Sequence, residues 1–195
     1  MQYRRRPKAA SRAILRVYTY ALITESSYNG DVTFENIRMA VDVSGVIDYA
    51  DYGSGPEPVM ATAFSADGGS NLRFIDADVT VSAAGSEIWG DVIFEGKTSF
   101  VHVSTYNAAP VLTTRGEFAF ADFTGTLSLS YANPGAACPA AMAYGGFTVN
   151  GTSASTAVYG AAIKAFTDGY DENYYTFVNG GGNPLSAVTV AGAAP

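Results

Sequence analysis

Carboxylates are the side chains of this sequence that come closest to forming a reactive pair. Asp76 and Asp78 lie two residues apart in an apolar run over 72–81. Because alternate residues of a strand point to the same face, both carboxylates would share one surface. Such a pair could supply the acid and base of a glycoside hydrolase, or oxygen ligands for a cation. A solvated strand face explains the same pattern, and we favour that interpretation.

A second group of acids surrounds a glycine in the segment 168–173. Asp168, Asp171 and Glu172 place several oxygens around Gly169, as calcium-binding loops do. The segment lacks the spacing and the terminal glutamate of an EF-hand. It is therefore a weak calcium candidate, and we predict no resident metal or cofactor.

Histidine and cysteine give little support for catalysis. His102 is the only histidine and lies between Val101 and Val103 in a predicted strand, so we predict a structural role for it as a surface or hydrogen-bonded strand residue. No Gly-x-Ser-x-Gly motif accompanies it. Cys138 is the only cysteine, which excludes a disulfide within one chain. We therefore predict that the protein is not an enzyme.

Charge is distributed very unevenly along the chain. The first sixteen residues hold no acid and six bases, which are Arg4, Arg5, Arg6, Lys8, Arg12 and Arg16. The remainder holds five bases against all eighteen acids, a net charge of −13. A basic segment of this kind gains order mainly on an anionic partner. We predict that it anchors to nucleic acid or to a neighbouring subunit; a solvated tail without a role is the alternative.

Aromatic residues cluster near the C-terminus. The cluster consists of Tyr170, Tyr174, Tyr175 and Phe177. Such rings could stack on sugars or bases, but the edge of the core or a subunit contact is the use we predict.

The elements that must position these residues are strands. About ten short β-branched and aromatic runs alternate with Gly-, Pro- and Asn-rich turns, which favours an antiparallel sandwich or a jelly-roll-like barrel. No helical pattern is long enough for βαβ units, so a parallel sheet is not expected. The segment 157–165 could instead form a short helix. Two segments, 31–35 and 91–96, look alike, and we interpret them as similar hairpin strands rather than as a repeat.

One domain accommodates this pattern. We predict a flexible basic arm over residues 1–12 and a single all-β domain over 13–195, with an irregular extension over 180–195. No apolar run approaches the ~18 residues of a membrane span. Synthesis in the cytoplasm is expected, although an arginine-rich arm also fits a mitochondrial presequence.

The plan of Arg4-Arg5-Arg6-Pro7-Lys8 before an all-β body rich in Tyr, Ser and Thr resembles that of small virion structural proteins. This resemblance implies a capsid, decoration or tail subunit that assembles with copies of itself and with other virion proteins. The arm would then contact nucleic acid or a neighbour. The body charge of −13 would repel a genome, which favours an outer, cementing or tail-forming place.

Two further hypotheses belong to other functional classes. A secreted or surface-displayed binding module would use its tyrosine-rich loops to hold a carbohydrate or a protein. A carboxylate hydrolase would use Asp76 and Asp78.

Overall fold

The computed structural model describes residues 11–14, 22–24, 31–43, 47–51, 56–60, 62–66, 69–133, 135 and 138–192. These residues form strands and turns, and no helix occurs among them. The strands build three long sheets and one two-stranded sheet. No helix long and apolar enough to cross a membrane lies in this part of the chain.

The strands are named in chain order and belong to the sheets as follows. Sheet 1 contains, from one edge to the other, β1 (Ser11–Ile14), β4 (Ile37–Asp42), β9 (Asp78–Ala83), β12 (Ser99–Ser104), β15 (Thr126–Tyr131) and β22 (Val188–Ala191). Sheet 2 contains β2 (Leu22–Thr24), β7 (Phe64–Ala66), β10 (Glu87–Ile88), β13 (Leu112–Thr114), β16 (Ala141–Ala143), β21 (Asn173–Phe177), β20 (Ala161–Thr167) and β19 (Ala157–Val158). Sheet 3 contains β3 (Val32–Glu35), β8 (Leu72–Ile75), β11 (Val92–Glu95), β14 (Glu117–Ala121), β17 (Gly146–Val149) and β18 (Thr152–Ala154). The fourth sheet is the hairpin of β5 (Ile47–Asp51) and β6 (Pro56–Met60).

The chain contributes one strand to sheet 2, one to sheet 3 and one to sheet 1, and it repeats this order in the next coil. β7, β8 and β9 form one coil, β10, β11 and β12 the next, and β13, β14 and β15 the third. Successive coils pair in parallel on all three sheets. The architecture is a three-sided parallel β-solenoid.

The predicted antiparallel sandwich or jelly-roll barrel is therefore wrong. The error came from expecting every parallel connection to need a helix. In a solenoid the connection between parallel neighbours is the rest of the coil, namely two more strands, and this satisfies the long crossover that parallel pairing requires. The predicted strand-rich character survives this correction, and the segment 157–165, for which a short helix was the alternative to a strand, contributes to β19 and β20.

Each coil sends alternate side chains inward, where like residues stack on like. In sheet 3 one column of the core consists of Phe34, Phe74, Phe94 and Phe120. Their ring centroids lie 5.5, 5.9 and 5.7 Å apart, with neighbouring planes within 28° of parallel. Offset stacking of this kind adds to the free energy gained by burying the rings.

The two ends of the solenoid differ. At the C-terminal end, β18, β21 and β22 pair antiparallel with the last coil, so the ladder direction reverses there. At the other end, β1, β2 and β3 are the terminal strands of their sheets among the described residues.

The predicted basic arm falls mostly outside the described residues. This applies to Arg4, Arg5, Arg6, Lys8 and Arg16, whereas Arg12 belongs to β1, which pairs in parallel with β4. Within the expected C-terminal extension, 188–191 form β22.

Candidate ligand-binding surface

A short motif recurs at the corner between sheets 2 and 3. The motif is a large residue followed by glycine, and it directly follows β10, β13 and β16 as Trp89-Gly90, Arg115-Gly116 and Tyr144-Gly145. The last residues of these three strands are register partners in the parallel sheet. The first residue of each pair therefore occupies the same place in three successive coils.

The glycine is required because the coils approach closely at this corner. A Cβ on Gly116 would lie 2.8 Å from the carbonyl carbon of Gly90, and one on Gly145 would lie 2.7 Å from that of Gly116. Neither distance leaves room for a side chain at the glycine itself, whereas the residue before it carries a large one, which in the case of Trp89 is 51% exposed.

Side-chain oxygens hold the same corner from the inside. Asn71 Oδ1 accepts a hydrogen bond of 2.7 Å from the backbone N–H of Asp91. Asp91 Oδ1 in turn accepts one of 2.8 Å from the N–H of Glu117. Each coil thus satisfies a backbone donor of the next coil, which fixes the direction in which Trp89 and Arg115 leave the sheet.

The outward residues continue into a line of touching side chains, which we call the surface ladder. Its members are Trp89, Arg115, Tyr144, Tyr174, Phe166 and Lys164. The Arg115 guanidinium carbon lies 5.4 Å from the Trp89 ring centroid and 4.2 Å from that of Tyr144. The Tyr144 and Tyr174 centroids lie 6.1 Å apart, those of Tyr174 and Phe166 lie 5.9 Å apart, and the Lys164 ammonium lies 5.3 Å from Phe166.

The surface ladder crosses five neighbouring strands of sheet 2. It starts after β10, passes β13 and β16, and ends on β21 and β20. Four steps of the usual inter-strand spacing of about 4.8 Å give the ladder a length of roughly 19 Å. It is therefore long and narrow.

Ion pairs fix the cation at the second step of the ladder. Arg115 Nη1 donates to Glu172 Oε2 at 2.6 Å, and Arg115 Nε lies 3.9 Å from Glu87 Oε1. The aromatic rings on both sides and the paired carboxylates hold the guanidinium in one place.

A partly buried phenol fixes the third step. The Tyr144 hydroxyl donates to Asp168 Oδ2 at 2.8 Å. Burial and this hydrogen bond raise the pKa of Tyr144 to about 12, against the lowering effect of Arg115. Burial alone would raise the pKa of Asp168, but hydrogen bonds from Tyr144 and from the N–H groups of Tyr170 and Glu172, together with the Arg115 charge, outweigh it and lower that pKa. At neutral pH the phenol is thus a donor and the carboxylate an acceptor.

The N-terminal end of the ladder is the most accessible part. Trp89 is 51% exposed, unlike most large aromatic side chains of the described residues, and it is the only tryptophan of the chain. Beyond the other end, Tyr170 is 89% exposed at the tip of the turn between β20 and β21. Exposed rings that belong to a contiguous patch, as Trp89 does in the surface ladder, mark surfaces that bind a partner or ligand.

The predicted C-terminal aromatic cluster is divided between two faces. Tyr174 belongs to the surface ladder, while Phe177 is fully buried with its ring centroid 4.8 Å from that of Phe147. Tyr175 packs against the same core. Strand alternation separates them, since neighbours along β21 point to opposite sides.

Sequence reasoning missed Trp89, Arg115 and Tyr144. The available signal was the repeated pattern of a large residue followed by Gly at the end of an apolar run. Because the three pairs lie 26 and 29 residues apart, no fixed period draws attention to them.

The carboxylates predicted to form a pair do not act together. Asp76 occupies the corner between β8 and β9 with a φ of 47°, and its Oδ1 accepts a hydrogen bond of 2.8 Å from the N–H of Lys97. Asp78 lies in β9 and forms an ion pair of 2.7 Å with Arg38. The two residues thus have separate structural partners.

The calcium candidate likewise has other partners. Asp168 caps the turn and holds Tyr144, and Glu172 binds Arg115, while Asp171 is exposed. Among the described residues, no three His, Cys, Asp or Glu side chains come together as a metal-binding group.

His102 lies in the core. It is fully buried in a column of sheet 1 that also contains Val81 and Leu129, and burial lowers its pKa from 6.5 to about 3. Neither ring nitrogen has a hydrogen-bond partner. The expectation that His102 is a surface or hydrogen-bonded strand residue is therefore wrong.

In comparisons with known proteins, no family model, no curated protein and no solved structure matches the chain.

Proposed function

We propose that the protein is a binding module for linear polysaccharides and that the surface ladder is its binding site. The observation that supports this proposal is the unbroken line of aromatic and cationic side chains across five strands. Pyranose rings present apolar C–H faces that stack on aromatic side chains, while their hydroxyls bond to charged groups nearby. A row of rings with carboxylates beside it matches both needs.

The shape of the ladder favours an extended ligand. A ligand laid along a line of roughly 19 Å would contact several rings at once, each weakly. A single small molecule would touch only one or two steps. A chain of sugars uses every step, and its affinity grows with the number of units.

The charged groups of the ladder are arranged for binding rather than for turnover. Glu172 and Asp168 are held by Arg115 and Tyr144, and the depressed pKa of Asp168 makes it a poor proton donor at neutral pH. We accordingly propose a module without catalytic activity.

The single tryptophan allows a direct test. Titration with hexasaccharides of β-linked glucose or N-acetylglucosamine is expected to shift and quench the emission of Trp89. Tyr174→Leu removes one stacking ring and keeps an apolar side chain, and it should weaken binding roughly three- to ten-fold. Tyr106→Leu is the matched control, because Tyr106 is 41% exposed but lies between β12 and β13, away from the ladder.

Two results would contradict the proposal. One is the absence of any saturable emission change with hexasaccharides of either type. The other is an equal loss of affinity in the Tyr174 and Tyr106 variants.

A virion structural subunit is the second candidate. It is supported by the charge division between the first sixteen residues and the rest, and by the terminal position of β1, β2 and β3 in their sheets among the described residues. Unpaired strand edges are templates for pairing with another chain. In this proposal copies of the protein, or other virion proteins, add to that end, and the basic arm anchors them.

Light scattering at low and high salt tests the second candidate. Assembly that weakens with salt and is lost on deletion of residues 1–10 would support it. A protein that stays monomeric at every salt concentration, both with and without residues 1–10, would contradict it.

A further inference from the structure

The exposed end of the surface ladder combines a ring with a carboxylate. Glu87 and Trp89 lie two residues apart around buried Ile88, so their side chains leave the same side of the chain. The Glu87 side chain is 50% exposed and Trp89 is 51% exposed. A ligand that stacks on the indole therefore meets a carboxylate beside it.

This carboxylate has binding capacity left. Its Oε1 lies 3.9 Å from Arg115 Nε, which is too long for a hydrogen bond, and that N–H has no hydrogen-bond partner. The stronger contact of Arg115 is the one with Glu172 at 2.6 Å. Glu87 can thus accept hydrogen bonds from a ligand without breaking the pair that fixes the ladder.

The charge around the ladder has one predominant sign. Along it lie four acids, Glu87, Asp168, Asp171 and Glu172, against the two bases Arg115 and Lys164. Arg115 is covered on both sides by rings and is already paired, so it is a poor receptor for an anionic ligand. The whole chain beyond its first sixteen residues, with the ladder included, carries a net charge of −13, which also repels polyanions.

Resting on the proposed polysaccharide-binding function, we infer that the ligand is a polymer of amino sugars whose protonated amine binds between Glu87 and the Trp89 ring. An ammonium group is attracted by the face of an indole and by a carboxylate, and both are offered here on one exposed site. Neutral sugars use the stacking alone, and polyuronates meet repulsion.

The test uses hexamers that differ in charge. Their affinities are measured by Trp89 emission at about pH 6, where an aliphatic amine is protonated. The ligands are hexamers of glucosamine, of glucose and of galacturonic acid. The glucosamine hexamer should bind roughly ten-fold more tightly than the glucose hexamer, which combines the usual effects of one exposed cation–π contact and one exposed ion pair. The galacturonic acid hexamer should bind most weakly.

A pair of variants assigns the preference to Glu87. Glu87→Gln should reduce the ratio of the glucosamine to the glucose affinity to roughly two- to five-fold, the part that the cation–π contact supplies alone. Glu35→Gln changes the charge equally but lies in β3, the terminal strand of sheet 3 among those described, and should keep the ratio. Added salt should lower the ratio in the unchanged protein and leave it nearly constant in Glu87→Gln.

Each outcome separates the two proposals. Equal affinities for the glucosamine and glucose hexamers, or a preference for galacturonic acid, would overturn the amino-sugar assignment and leave polysaccharide binding intact. Failure of every hexamer would refute the binding function itself. Hexalysine bound as tightly as the glucosamine hexamer, with the same dependence on Glu87, would identify a basic polypeptide as the ligand and also overturn the assignment.

Discussion

Replacing His102 by leucine should stabilise the protein. The imidazole is fully buried in a column whose neighbours are Val81 and Leu129, and neither of its nitrogens has a hydrogen-bond partner. An unsatisfied buried polar group costs about 1–3 kcal/mol, while leucine has a similar volume and no polar atom. We expect the free energy of unfolding to rise by an amount in this range, about 1–3 kcal/mol, at neutral pH.

The difference in free energy of unfolding between the leucine variant and the wild-type protein should increase as the pH falls. The pKa of His102 is about 3 in the fold and 6.5 in an unfolded chain, so between these values the unfolded state binds a proton that the folded state does not. The stability that depends on neutral His102 is present above pH 6.5 and is lost progressively as the pH falls towards 3. Between about pH 7.5 and pH 5, the wild-type protein should lose about 2 kcal/mol relative to the leucine variant.

Urea unfolding followed by Trp89 emission and by circular dichroism measures both effects. Comparing the two proteins at each pH removes the contribution of the acids, which both share. His102→Asn serves as a control, because it keeps a polar group in the core but cannot titrate. It should lack the gain at neutral pH and yet resist acid as the leucine variant does. A leucine variant that is less stable than wild type at neutral pH, or a difference that stays constant with pH, would refute this account of the core.

Three further substitutions test the fold. Phe94→Ala removes the third ring of the core column in sheet 3 and should lower the free energy of unfolding by about 3–5 kcal/mol in urea titrations; a loss below about 1 kcal/mol would show that the column collapses around the gap. Gly116→Ala inserts a Cβ against the preceding coil and should lower the thermal midpoint clearly, whereas Gly169→Ala, with no heavy atom within 4 Å of the added Cβ, should leave it nearly unchanged; similar midpoints would contradict the close approach of the coils. Arg38→Ala removes the exposed ion pair with Asp78 and should cost less than about 1 kcal/mol, with the cost vanishing in high salt; a larger cost that is insensitive to salt would indicate a different role for the arginine.

Strand content was predictable from the sequence because alternation is a local property. The apolar and polar residues of β9 and β15 alternate strictly, and the burial of their side chains follows the same period. Strand direction is not local, and the same alternation serves an antiparallel hairpin or a solenoid coil. The absence of helical segments was therefore misread as evidence against parallel sheets.

The repeat was visible in the sequence but was interpreted as coincidence. The similar segments 31–35 and 91–96 contain β3 and β11, which occupy equivalent places in sheet 3. Their likeness reflects one structural requirement, an inward Phe followed two residues later by Asn36 or Gly96 at positive φ. Coils of 20, 26 and 29 residues, measured between register partners of sheet 3, obscure the period.

The surface ladder was beyond the reach of local patterns for a related reason. Only Tyr174 was singled out, because it lies in a visible aromatic cluster. Trp89, Arg115 and Tyr144 are neighbours only through the stacking of coils. A tryptophan, an arginine and a tyrosine have no common property in the sequence, and what unites them is the glycine that follows each.

At this corner the glycine meets the packing requirement of the coils, and the residue before it is left available for binding. Gly116 permits the close approach of the coils, and Glu117 N–H donates its hydrogen bond to Asp91 Oδ1, so the core places no demand on the residue before the glycine. Trp89 occupies this place and is 51% exposed, while the inward columns carry the stability of the fold. Substituting the ladder residue of a coil should therefore cost little stability. The type of side chain at each step, whether ring, cation or carboxylate, can then be determined by the ligand. Exchanging Trp89 for Tyr should leave the urea midpoint, followed by circular dichroism, nearly unchanged while altering the affinity for hexasaccharides, measured by calorimetry because the variant has no tryptophan. A large loss of stability would show that the corner residue belongs to the core.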